Sequence, residues 1–165
     1  MNIIMDSGTA IVGLVLVAIS VVPIIILNRK RAKKGQGMLQ LLTNVASEHN
    51  CKILEHEFCG DYCVGMDKTN GFVFFAKEKD GPNDVKHINL AGVKTCKVNN
   101  TGRIVTYKKQ NNKIIERLCL DFYPKEKDKP VVTWEFYNAE ENPQLNGELQ
   151  SVEKWEHEIN RYLKG

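Results

Sequence analysis

Five residues inside fifteen positions carry the side chains that zinc prefers: His49, Cys51, His56, Cys59 and Cys63. Their spacing argues against a metal centre. Cys59-x-x-x-Cys63 straddles a predicted turn between two strands, and no second paired-cysteine half follows. His56 alternates with Leu54 and Phe58, which predicts a half-buried histidine on one strand face. A nucleophilic Cys–His pair is the other chemistry these residue types allow. The five cysteines, which include Cys96 and Cys119, cannot all pair within one chain and read as small buried hydrophobes. Glu153 and His157, four apart on a predicted helix, read as a solvated contact.

Catalytic signatures are missing elsewhere as well. The chain holds no G-x-x-x-x-G-K-[ST], H-E-x-x-H, G-x-S-x-G or G-x-G-x-x-G. After residue 27 only Ser47 and Ser151 could serve as a serine nucleophile. The expectation is therefore a protein that is not an enzyme, with no catalytic residue, no metal and no cofactor.

The cations fall into two groups. Arg29, Lys30, Arg31, Lys33 and Lys34 form a tight cluster, expected to meet anionic headgroups at a membrane edge. Lys94, Lys97, Arg103, Lys108, Lys109 and Lys113 surround a later predicted hairpin, a candidate binding hairpin whose plainer reading is a solvated charged edge. From Gln36 onward the chain has 18 Lys/Arg against 19 Asp/Glu. That balance excludes the broad basic face needed to bind nucleic acid.

The elements that must position these groups begin with an uncharged run, "GTAIVGLVLVAISVVPIIIL", residues 8–27. Its length suits a transmembrane helix. The basic cluster follows it, and the preceding "MNIIMDS" has no Lys or Arg, so the positive-inside rule puts the N-terminus outside and the rest in the cytoplasm. A cleaved signal peptide would carry its basic residues at the other end. The expected order is a short extracytoplasmic segment 1–7, the span 8–27, a basic juxtamembrane linker 28–36, an amphipathic helix 37–49 and a domain 50–165. The helix has Met38, Leu41, Leu42 and Val45 at helical spacing; it packs either on the domain or on the membrane.

The domain reads as β from Cys51 to about Tyr137. "CKILEHEF", "DYCVGMD", "GFVFFAK", "VKHINL", "GVKTCKV", "KIIERLCLDFY" and "VVTWEFY" are separated by "DKTNG", "KDGPND" and "VNNTG", all rich in turn residues. A final helix follows, with Asn142-Pro143 fitting an N-cap and first helical position, Gly147 weakening the first turn so that a later firm start is the alternative, and Leu145, Leu149, Val152, Trp155, Ile159 and Leu163 as one apolar stripe.

Through "NGFVFFAK", "HINLAGVKTCKV", "VVTWEFY" and "SVEKWEHEINRYL", the stretch from Cys51 to Leu163 resembles the pleckstrin-homology-like (PH-like) superfold, in particular small bacterial PH-like domains of membrane-anchored proteins. The resemblance implies an α+β fold: after the transmembrane helix, an antiparallel β-barrel or sandwich of about seven strands, capped by a C-terminal helix with Trp155 as a core plug. Phosphoinositide-binding members carry a basic motif across the first hairpin. Here that junction is "FCGDY", with Asp61 and no cation. The functional expectation is a single-pass membrane-anchored module that binds a protein or peptide, with membrane lipid as its anchor partner. Peripheral sensing of anionic lipid is the alternative.

Overall fold

The computed structural model describes residues 35–78, 85–107 and 110–165. Residues 38–165 form one compact unit. Residues 35–48 are helical (α1). Seven strands follow: β1 (Glu55–Cys59), β2 (Tyr62–Asp67), β3 (Phe72–Lys77), β4 (Lys86–Asn89), β5 (Val93–Tyr107), β6 (Gln110–Pro124) and β7 (Val132–Asn138), and then α2 (Glu148–Lys164). They make two antiparallel sheets, ordered β1-β2-β3-β4 and β5-β6-β7.

The two-residue periodicity of strands divides each apolar run between two cores. On β2, Tyr62, Val64 and Met66 face the main core, together with Val73 and Phe75 of β3. Leu118, Leu120 and Phe122 of β6, Trp134 and Phe136 of β7, and Val152, Trp155 and Ile159 of α2 complete it. The alternate residues Cys63, Phe74 and Ala76 face the other way and pack under Leu42 and Ala46 of α1. Sheet β1–β4 is thus covered on both faces along β2 and β3. This explains why "GFVFFAK" is apolar throughout while "VVTWEFY" alternates.

Asp67 fixes the turn between β2 and β3. It is buried, and its carboxylate accepts from the backbone N–H of Lys52, Thr69 and Asn70 and from the Asn70 side-chain amide. Gly71 closes that turn at a φ of 68°, which favours glycine.

Three sequence expectations are corrected. The transmembrane helix 8–27 lies outside the described residues, and among the described residues no helix is long and apolar enough to cross a membrane. The architecture therefore stands as α+β with seven strands in two sheets and a C-terminal helix. A single-pass membrane protein with its N-terminus outside and its domain cytoplasmic is therefore not supported. Second, "VNNTG" is not a turn. β5 runs through it to Tyr107, absorbing one extra β6 residue where Thr101 faces Arg117 and Gly102 faces Ile115. Third, Asn142-Pro143 does not open α2, which takes the later start past Gly147, at Glu148. Gly147 takes a φ of 103°, Asn142 Oδ1 instead caps a local turn at Gln144 N–H, and the Glu148 carboxylate accepts from Asn146 N–H.

Candidate functional site

α2 meets two strand edges and treats them differently. Along β5 it seals the edge. Asn160 Oδ1 accepts from Cys96 N–H at 3.1 Å, and Asn160 Nδ2 donates to the Cys96 carbonyl at 2.8 Å. Thr95 Oγ1 donates to the same Oδ1 at 2.9 Å. Glu156 Oε1 accepts from Val98 N–H at 3.2 Å. These side chains supply the bonds that a neighbouring strand would supply, so this part of β5 has no edge left to offer.

Along β1 no such seal is seen. Among the described strands β1 pairs only with β2. Its register places His56 opposite Gly65 and Phe58 opposite Cys63, so His56 and Phe58 lie on the face that α1 covers farther along the sheet. α1 stops short of them. Leu54 is 64% exposed and Phe58 42%, with the His56 ring edge-on to Phe58 at 5.4 Å. Beside this strand runs a groove of about 450 Å³, with residues 54–56 on one wall and Lys154, Trp155, Glu158 and Arg161 of α2 on the other.

Ion pairs brace the groove. Lys154 Nζ meets Glu57 Oε2 at 2.6 Å, and Lys68 Nζ bridges Glu55 (2.7 Å) and Glu158 (3.4 Å), to which Arg161 also pairs. Exposed pairs of this kind contribute at most about 1 kcal/mol each. Their effect is to hold β1 and α2 at a fixed spacing and leave the groove nearly neutral.

The sequence-derived candidates scatter. Arg29, Lys30, Arg31, Lys33 and Lys34 lie outside the described residues, as do Lys108 and Lys109. Lys94 and Lys97 sit near the start of β5, with Lys97 Nζ 5.9 Å from the Tyr123 ring centre. Arg103 lies six residues beyond Lys97, about 20 Å along an extended strand. It pairs with Glu116 at 3.2 Å, and the backbone of Lys113 faces Ile104. Among the described side chains, Arg103 thus stands apart from Lys94 and Lys97. Lys94 instead lies at the end of the sheet where Lys125 N–H bonds the Gly92 carbonyl. The loop that follows exposes Lys125, Lys127 and Val131, and Val132 at the start of β7 is exposed beside them.

The cysteine–histidine stretch also disperses. Among the described residues no group of three or more metal-ligating side chains exists. All five thiols are free, and only Cys59 is less than fully buried. Burial pushes Cys63 and Cys96 up to about 12, so neither is a nucleophile at neutral pH. His56 is exposed, not half-buried, because none of the described residues covers the outer face of β1.

Sequence reasoning missed the two features that define the site. Asn160 and Glu156 lie on the polar flank of α2, and no local pattern ties them to a strand edge. The half-buried face expected along Leu54, His56 and Phe58 rests on alternation, which reports a shared face and not what covers it. No family model, no curated protein and no solved structure matches the chain.

Proposed function

We propose that residues 38–165 form a PH-like recognition module that binds an extended protein or peptide segment along β1, acting by binding rather than catalysis and without a cofactor. The two antiparallel sheets with a C-terminal helix are compatible with the PH-like superfold. The observation that carries the functional reading is the contrast between the two edges. β5 is closed by Asn160 and Glu156, whereas β1 presents exposed Leu54 and Phe58 beside a groove. A segment added to β1 would gain main-chain hydrogen bonds for affinity and side-chain contacts with Leu54, Phe58 and the α2 wall for specificity.

Selection from a displayed library of random peptides on the folded full chain tests this. The expected result is a family of binders with apolar residues at alternate positions. Failure to enrich any binder on folded protein contradicts the reading.

A second reading is peripheral sensing of anionic lipid. Lys94, Lys125 and Lys127 together with the exposed Val131 and Val132 favour it, since cations over a small apolar tip suit a headgroup layer. Sedimentation of residues 38–165 with phosphatidylserine vesicles at low salt is the test. Binding that is lost on Lys125→Glu with Lys127→Glu supports it, and no binding rejects it.

A further inference from the structure

His49, in the turn that ends α1, and His87, on β4, come from opposite ends of the sequence-local structure but place their rings 4.3 Å apart, centre to centre. Neither is required by the recognition groove. Both are exposed, so an ion can reach them from solvent. Each rests on an aromatic of the same sheet face: His49 on Phe72 at 5.7 Å and His87 on Phe74 at 6.2 Å. These contacts set the planes of the two rings.

The spacing fits ligation. A metal–nitrogen bond of about 2.0–2.1 Å puts each imidazole centre roughly 3.2 Å from the ion, so two imidazoles at a right angle have centres about 4.5 Å apart. The observed separation is close to that value. A half-turn of either ring about its outer bond keeps its plane, and so its stacking, while exchanging which nitrogen faces the shared point. We infer that His49 and His87 form a two-histidine site for a divalent transition metal of the zinc and nickel class, the remaining positions being taken by water. Occupied, the site would tie the end of α1 to the edge strand β4 across the sheet.

Ligation needs neutral imidazole. Two imidazolium rings at this spacing would repel, so metal and protons compete for the pair.

Ni²⁺ is the probe of choice because it favours imidazole, whereas soft thiolates would draw Zn²⁺. The full chain is titrated with Ni²⁺ by calorimetry at pH 7.5 and pH 5.5, as wild type, His49→Gln, His87→Gln and the double variant, with histidine ring protons followed by NMR. The expected result is one Ni²⁺ per chain and ring signals of His49 and His87 that respond together while those of His56 and His157 do not. Each single variant is expected to weaken binding at least tenfold, and the lower pH likewise. No binding at millimolar Ni²⁺ overturns the site. So does binding that survives in the double variant, or that depends on only one of the two histidines.

Discussion

Asn160 holds Cys96 by both of its backbone groups, accepting the N–H at 3.1 Å and donating to the carbonyl at 2.8 Å. One side chain on α2 thereby imitates one residue of a missing strand. Cys96 is fully buried, so losing the amide leaves two backbone groups without partners in a place that water reaches poorly. Asn160→Ala is expected to cost about 2 kcal/mol, read as a lower urea midpoint. Faster amide exchange confined to residues 95–98 is expected with it. An unchanged midpoint would show that the β5 edge is held by packing alone.

Acid should weaken the fold through Asp67. Burial opposes its ionisation, but hydrogen bonds from Lys52, Asn70 and Thr69 outweigh burial and bring the carboxyl down from 3.8 to about 2. A depressed value in the folded state stabilises the protein at pH above the unfolded value and ceases to do so as pH falls through the folded one. Asp67→Asn is therefore expected to be less stable than wild type at neutral pH, with the difference shrinking between about pH 4 and about pH 2. Urea midpoints across that range check it. A constant difference would assign the effect to lost geometry, not to charge.

How much of this was legible in the sequence depended on what each residue reports. The positions of β2, β3, β4, β6, β7 and the Trp155 stripe follow from periodicity, because period 2 and period 3.6 are imposed by the backbone itself. The length of β5 does not. Asn99, Asn100 and Gly102 favour turns locally, and only pairing with β6 overrides them, with Gly102 fitting where a methyl would collide with the Ile114 carbonyl. The Asp67 turn was visible as "DKTNG", although the carboxylate that holds it was not. The groove was invisible, since it depends on how β1 and α2 stand to each other in space.

Two glycines should respond oppositely to alanine. At Gly102 the new methyl meets the backbone of Ile114 and Ile115, which cannot yield as a flexible side chain would. The expected cost is about 1–3 kcal/mol. Gly37 is helical with open space around it, and alanine there should stabilise by about 0.5–1 kcal/mol. Thermal unfolding of both variants checks the pair. The same sign for both would contradict the bulge geometry.

Thiol labelling of the native protein should be dominated by one site. Cys51, Cys63, Cys96 and Cys119 are buried, while Cys59 lies half-buried where the β1–β2 turn meets the start of α2, its Sγ near the Asn146 carbonyl. Burial, and then the neighbouring Tyr62 and Glu148, act on its pKa, the net result being upward. It should therefore react slowly at neutral pH yet before the other four. Mass spectrometry after brief alkylation resolves the order. Prior modification of Cys63 or Cys96 would mean that sheet β1–β4 or the β5 edge opens readily.

The central claim is that β1, and not β5, is the edge that receives a ligand. Amide exchange with and without a selected peptide tests it most directly, alongside Leu54→Lys with Phe58→Lys. The account predicts new protection at residues 54–59 and no change at residues 95–98. It also predicts at least tenfold weaker binding by the double variant, which should fold normally because both side chains are already exposed. Protection appearing along β5, or binding indifferent to residues 54 and 58, would contradict it.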